Sequence, residues 1–347
     1  MLNTKELDTN LLEAAFYEKP FDFSYSSLNK LMTSPSIFYK EYVLKQKDDS
    51  TKKYLLEGIL IHFLVLENIN FDEKFLVIPD ALPSDKVVDV VKFIYSLYKA
   101  EENPDPDKEL GDYRDQILDQ LKEINFYQNL KDTKDGLGDD KRIAKIVDIK
   151  TEAYFEFLKK QQGRTIIDSE LLDRCTRRAE IVTSNPEMRE LLGLDLSNDG
   201  KTFGIYNELE LNMNTEGKFP FGFKGIIDNI VVDVKQKLIK INDFKTTGKD
   251  LTKFSDSVEF WNYWLQAAMY KKLVCNFFSK VLTNEWTVEF RFVVFDKYDQ
   301  LYAYPVSKET MLSWEARLEE TIFQANFHYT SKEFTLPYNY AIGNVKL

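Results

Sequence analysis

The spacing of apolar positions changes character near residue 200. Residues 54–67 are almost continuously apolar over a length that suits a buried helix better than a strand. Residues 81–194 are mainly helical in pattern, with breaks at Asn103-Pro104, Asp135-Gly136 and Asn185-Pro186, and read as a helical insertion or cap. Residues 204–213, 221–234 and 238–245 are rich in β-branched and aromatic side chains at strand lengths, which predicts consecutive strands joined by tight turns. An amphipathic stretch at 255–279 predicts one long helix, strands follow at 286–295 and 301–305, and a final helix covers about 308–325. The expected fold class is α/β (α+β), a central mixed β-sheet flanked by helices. One domain is expected over 21–347, with the helical insertion at about 81–194 and the sheet core at about 204–305.

The N-terminal part is less regular. Residues 1–20 carry no strong pattern and are expected to be partly mobile. Residues 21–43 alternate aromatics with small polar residues, FDFSYSSLNKLMTSPSIFYKEYV. Ser26 or Ser27 is placed to cap a short helix, and a second helix after Ser34-Pro35 carries Phe38 and Tyr42 one turn apart on one face.

Composition narrows the class. A chain of 347 residues with 44% apolar content builds an ordinary globular core, as one large domain or two small ones. The stretch without charge around its most apolar point, 58–66, falls far short of the ~20 residues of a bilayer-spanning helix. The start MLNTKELDTN shows no secretion signal, so a cytoplasmic protein of a bacterium or a phage-infected host is expected. Two cysteines, Cys175 and Cys275, cannot supply a four-thiolate zinc or iron-sulfur site from this chain alone. A formal net charge of −11 argues against a uniformly basic protein that coats nucleic acid. Local charge is polarised: residues 101–120 hold eight acids against two basic residues, whereas 235–253 hold six lysines against two aspartates.

That basic segment belongs to the most informative stretch, KGIIDNIVVDVKQKLIKINDFKTT, residues 224–247. A strand carrying Asp228 is followed by one ending in Asp243-Phe244-Lys245. Residues 243 and 245 project to one face of a strand while Phe244 points to the opposite layer, so a carboxylate and an ammonium share a site. Hard carboxylate oxygens there suit Mg²⁺, which polarises a phosphoryl oxygen and activates water, with Lys245 orienting or deprotonating that water. Asp-x-Lys alone is weak, because it arises often by chance as a solvated strand pair. Four features add to it. His62 lies within the apolar helix, either a ligand or a satisfied core histidine. Gln266 and Tyr270, one turn apart, face a common surface of the following helix or form its polar edge. Glu208 offers another carboxylate, or belongs with Glu210 to a solvated sheet face. Gly225 permits close approach of metal or DNA, or marks a strand irregularity.

The ordered set Gly58/His62, Gly225/Asp228, Asp243/Lys245 and Gln266/Tyr270 resembles the RecB-like branch of the PD-(D/E)XK nucleases. The opening SYSSLNKLMTSPSIFYKEY looks like the segment with which many such enzymes begin, and residues 163–192 are similar to the helical region of RecE-type exonucleases, also called exonuclease VIII. The resemblance spans about residues 22–305 and is weakest between 80 and 145. It implies Mg²⁺ or Mn²⁺, as two ions, held by Asp228, Asp243 and the backbone carbonyl of Phe244 with help from His62, and with Glu208 as a further candidate. It implies that Lys245 acts on the water and that Gln266 and Tyr270 support the site or contact the DNA backbone. Ser27 and Lys30 are further candidate DNA contacts. Absent cluster cysteines favour the RecE and lambda-exonuclease side. Such enzymes act on double-stranded DNA, several form homo-oligomeric rings, and several work with single-strand annealing proteins.

The expected activity is therefore a metal-dependent exonuclease, degrading linear duplex DNA from the 5′ end to expose single strands for recombination or repair. An endonuclease on the same fold is a second reading. A catalytically inactive nucleic-acid-binding protein is a third, from another class. ATP is not expected, because Thr246-Thr247-Gly248-Lys249 lacks the upstream glycine of a phosphate-binding loop and position 243 is Asp. The aromatics Tyr25, Phe38, Tyr39 and Tyr42, with Lys30, Lys40, Lys45 and Lys47 between them, either stack bases and neutralise phosphates or form a packed helix pair with a solvated lysine fringe; packing is the default. For Trp261 and Trp264 core packing is also expected.

Overall fold

The computed structural model describes residues 4–47, 53–67, 70–134, 136–161 and 163–345; residues 1–3 of the N-terminal stretch and Asp135 of the expected break lie outside them. The described strands are β1 (Asp22–Phe23), β2 (Phe75–Val77), β3 (Thr165–Ile167), β4 (Phe203–Met213), β5 (Gly222–Asp233), β6 (Leu238–Thr246), β7 (Thr287–Phe295) and β8 (Leu301–Pro305). The chain divides into two compact units, one formed by Met1–Glu67 with Arg177–Leu347 and the other by Asn68–Thr176.

The first unit holds a six-stranded mixed sheet, in which β5 pairs with β4 and β6 antiparallel, β6 with β7 parallel, and β7 with β8 antiparallel. The first residues of β5 also pair with the two-residue strand β1, in parallel. Helices cover both faces. Tyr263–Phe277 lies against β4, β5 and β7 and is itself covered by Tyr25–Thr33 and Lys308–Ser331, whereas Lys53–Leu66 packs on β5 and β6 and Pro186–Leu192 on β5. The core between the sheet and the first group includes Leu28, Phe38, Phe223, Ile227, Ile241, Leu265, Ala268 and Phe292, each nearly or fully buried. Burial of such side chains, at about 25 cal/mol per Å² of apolar surface, is what holds the helices to the sheet.

Several local features depart from the pattern in the sequence. Thr4–Tyr17 is helical. Ser24, rather than Ser26 or Ser27, caps the helix Tyr25–Thr33; Ser27 is its reciprocal partner in a capping box. The predicted helix over 255–279 is two helices, Phe254–Phe260 and Tyr263–Phe277, because Asn262 adopts a left-handed backbone with φ of 57° and breaks the run. Asparagine is among the few residues that tolerate this conformation. The break splits the two tryptophans: Trp264 is buried as expected, but Trp261 is turned outward.

The second unit is mainly helical. Val87, Val90, Val91 and Ile94 recur at helical spacing on Asp85–Ala100 and pack with Ile117, Leu121 and Phe155 from neighbouring helices. Its two three-residue strands, β2 and β3, pair in parallel, and β3 lies within the stretch 81–194 whose pattern is mainly helical. Among the described residues no helix is long and apolar enough to cross a membrane.

Candidate active site

The candidate site stands where β5 and β6 part. Their ladder runs from Asp233↔Leu238 to Asn229↔Asn242 and stops, and the next residues on the two strands are Asp228 and Asp243. Strand β6 continues instead along β7 through Thr246. The freed edge of β6 is bound by side chain: the Phe244 N–H donates to Asp228 Oδ2 at 2.7 Å. In a strand the N–H and C=O of one residue project to the same edge, so the Phe244 carbonyl also points into the fork. Lys245 Nζ lies 3.3 Å from that carbonyl oxygen.

On the other side of β5 the ladder to β4 runs Asn207↔Asn229 and then Leu209↔Ile227, passing over the rung formed by Glu208 and Asp228. Both strands change phase there. Gly225 and Ile227 face the helix Tyr263–Phe277 and the main core, and so do Ile230 and Val232; Asn229 and Val231 face the opposite layer. In β4 Tyr206 packs on Phe277 and Phe278, yet Leu209 and Leu211 join the same core three and five residues later. The slip is marked by a φ of 48° at Glu208, a conformation that costs a non-glycine residue of order 1–3 kcal/mol. Glu208 is therefore not in phase with Glu210 on a solvated face. It turns toward His62, whose Nδ1 lies 3.3 Å from Glu208 Oε1 and whose Nε2 lies 3.6 Å from Asp228 Oδ2.

His62, Glu208 and Asp228 thus offer one ligand atom each within 4.8 Å of one another, the one such group of three among the described residues. Asp243 stands outside that trio. It is fully buried, with Oδ1 accepting from Gln266 Nε2 at 2.9 Å and Oδ2 accepting from Lys245 Nζ. Asp243 and Lys245 face the helix Tyr263–Phe277, the Lys245 ammonium lying 5.1 Å from the centre of the Tyr263 ring. Phe244 faces the other layer, its ring 5.5 Å from that of His62.

The electrostatics follow from burial and crowding. Burial pushes the Asp243 carboxyl up to about 7, with the Asp228 carboxylate adding to the effect and Lys245 opposing it. Burial works to lower the Lys245 pKa, but Asp243 and Asp228 outweigh it, so the net shift is upward and the side chain stays an ammonium. For His62 burial likewise pulls downward and the carboxylates of Asp228 and Glu208 raise the net value. Tyr270 is buried beside the same acids; burial first, and then Asp228 and Asp243, push its phenol well above the usual range, so it stays neutral.

The donor set fits a hard divalent cation. It consists of carboxylate oxygens, one imidazole and a carbonyl aimed into the fork, with no thiolate. One buried oxygen beside the acids, Gln266 Oε1, has no hydrogen-bond partner, and a buried acceptor left so is costly unless something else satisfies it; Glu208 Oε1 has only the 3.3 Å approach of His62 Nδ1.

Two candidate DNA contacts and the candidate close-approach glycine change meaning. Ser27 is 1% exposed and its hydroxyl is taken up by the cap of its own helix, so it is withdrawn from any DNA surface. The Lys30 ammonium pairs with Glu41 at 2.5 Å. Phe38 is fully buried and stacks on Tyr42 at 5.1 Å, the core packing expected for this pair. Gly225 makes room for side chains, not for a ligand: a Cβ there would stand 3.0 Å from Leu273 Cδ1 and 3.0 Å from Tyr270 Cε1. Gly225→Ala is accordingly expected to destabilise the chain by about 1–3 kcal/mol through overpacking, measured by denaturant unfolding.

A row of asparagines carries no signal in the sequence pattern. Asn242 Nδ2 donates to Asn229 Oδ1 and Asn229 Nδ2 to Asn207 Oδ1, each at 2.7 Å, across three strands one rung from the acids. Their remaining donors satisfy helix ends: Asn207 the Leu66 carbonyl at 2.8 Å, Asn229 the Leu192 carbonyl at 3.2 Å and Asn242 the Leu191 carbonyl at 3.1 Å. The Leu66 bond ties the end of the helix bearing His62 to the sheet, one turn from the imidazole.

No protein-family model matches the sequence, and a search of the curated proteins finds no match. Among solved structures, one of a protein named "Putative exonuclease" from Eubacterium rectale is similar over 89% of this chain and 82% of its own, with 13% identity and a TM-score of 0.39. A second, of SSO0001, covers 50% of this chain and 79% of its own, with 19% identity and a TM-score of 0.22.

Proposed function

We propose that this protein is a metal-dependent nuclease that hydrolyses phosphodiester bonds at the fork between β5 and β6. The observation that carries the reading is the convergence there of His62, Glu208 and Asp228 beside the Asp243–Lys245 pair. Asp228, Glu208, His62, Asp243 and the Phe244 carbonyl are the groups that would hold Mg²⁺ or Mn²⁺. Such a cation supplies Lewis acidity to the phosphoryl group and makes water a better nucleophile near neutral pH.

The protein's own groups do the rest. Water adds to phosphorus and gives up a proton to solvent, one ester P–O bond breaks, and the departing alkoxide takes up a proton from solvent. Lys245, paired with Asp243, is placed to offset the negative charge that grows on the phosphoryl oxygens and to orient the water. Gln266 fixes the Asp243 carboxylate by its 2.9 Å bond, and Tyr270 fills the space left open by Gly225. The ordered motif set, resembling RecE-type and lambda-type enzymes, supports the finer reading of an exonuclease on linear duplex DNA that proceeds from the 5′ end.

The test is digestion of end-labelled linear duplex beside covalently closed circular DNA, with Mg²⁺ and with EDTA. Loss of linear DNA alone, abolished by EDTA, is the expected result, and the order in which the labels disappear gives the direction. Cleavage of the circle would move the assignment to an endonuclease. Failure to cleave any DNA or RNA would leave a nucleic-acid-binding protein.

A further inference from the structure

The break at Asn262 leaves two large aromatic side chains in solvent: Phe260 is 69% exposed and Trp261 52% exposed, with ring centres 4.7 Å apart and planes perpendicular. A turn that merely tolerated such exposure would be loosely held, and this one is pinned from two other elements. The Trp261 carbonyl accepts the Tyr25 hydroxyl at 2.5 Å and Asn29 Nδ2 at 3.2 Å. Asn262 donates to Asn29 Oδ1 at 2.8 Å and accepts from Trp264 Nε1 at 2.9 Å. The rings are therefore presented by a fixed backbone, so little ordering entropy is lost when something covers them.

Position and charge indicate what that is. Tyr263, two residues on, lies beneath the Lys245 ammonium, so the turn stands at the rim of the acid site. Lys249 Nζ is 6.0 Å from the centre of the Phe260 ring. Glu259, the adjacent acid, is neutralised by a two-pronged bond from Arg317 at 3.1 and 3.0 Å. Exposed ring faces next to ammonium groups suit a ligand that joins a flat apolar face to an anion, which describes a nucleotide unit.

We propose that Phe260 and Trp261 form a stacking platform for a nucleobase of the strand whose phosphodiester reaches Lys245. The proposal rests on the nuclease reading for the strand's position, but its test does not depend on cleavage. Binding of a short oligothymidylate and of an abasic oligomer of equal length is measured in EDTA for the parent chain, Trp261→Ala and Trp261→Phe. The parent chain is expected to prefer the oligomer with bases. Trp261→Ala loses about five- to a hundredfold in affinity for it, with abasic binding unchanged, and Trp261→Phe keeps most of the preference. No preference in the parent chain, or an equal effect of Trp261→Ala on both oligomers, overturns the platform. So does a concentration-dependent dimer in sedimentation that Trp261→Ala abolishes, since the rings would then be a protein contact. A chain that discriminates between the oligomers but cleaves nothing refutes the nuclease and leaves the platform standing; one that cleaves without discriminating does the reverse.

Discussion

Lys245→Gln is expected to lower the single-turnover cleavage rate by roughly 10²- to 10⁴-fold, with the affinity for uncleaved nucleic acid little changed. The choice of glutamine matters. Lys245 is mostly buried and its ammonium donates to Asp243 and to the Phe244 carbonyl, so an alanine would leave a buried carboxylate short of a partner. Breaking a buried pair in that way costs about 3–5 kcal/mol and would confuse lost catalysis with lost fold. Glutamine retains a donor, one chain atom shorter, and removes the charge. If that charge acts on the phosphoryl group as the bond to the leaving oxygen breaks, the loss falls on the chemical step and not on binding. A thermal melt of the variant checks that the fork is intact. A rate within tenfold of the parent chain would make Lys245 a structural counter-ion to Asp243.

The parts of the fold that were legible in the sequence are those in which one physical rule dominates. β4 to β8 are long, rich in β-branched and aromatic residues and bounded by turns, and their ends fall within two residues of the predicted ones. Asp243, Phe244 and Lys245 alternate between layers because β6 keeps its period along β7. What was hidden depends on tertiary context. The phase slip at Glu208 and Asp228 breaks the period-two rule by which strand faces are assigned, so the sequence left Glu208 open between a metal carboxylate and a solvated face. The asparagines at 207, 229 and 242 have poor strand propensity, and only three adjacent strands and two helix ends give each a partner. Trp261 read as core because an apolar stretch of helical period gives no sign that Asn262 will turn left-handed within it.

These hidden features share a consequence. Glu208 holds a strained backbone, Asp243 is fully buried, and the carboxylates crowd around a single ammonium and one imidazole. Strain and like charge of this kind persist only where the surroundings over-determine them, and the asparagine row with its helix-end bonds is such a surrounding. The fork is stabilised less by its own contacts than by the layers on either side. A cation would relieve the crowding, so stability and cation binding should respond in opposite directions to the loss of one acid.

Asp228→Asn is expected to show that opposition. The amide oxygen can still accept the Phe244 N–H, which keeps the fork closed as Asp228 Oδ2 does at 2.7 Å. The negative charge beside Asp243 and Glu208 is gone, while Asp243 keeps both Lys245 and Gln266. The lost attraction to His62, whose Nε2 lies 3.6 Å away, works against this gain without reversing it. The cation-free variant should therefore be more stable by about 1 kcal/mol, a rise of a few degrees in Tm. With Mn²⁺ at a hundred times its Kd, the parent chain gains about 2.7 kcal/mol; a hundredfold loss of affinity cuts that to about 0.4 kcal/mol. Thermal melts of both chains, with and without Mn²⁺, measure the two effects together. If Asp228→Asn keeps the full cation-induced gain, the ion binds elsewhere and the fork is not the metal site. If the cation-free variant instead melts lower, the bonds made by the carboxylate outweigh its crowding, and the fork is not under electrostatic strain.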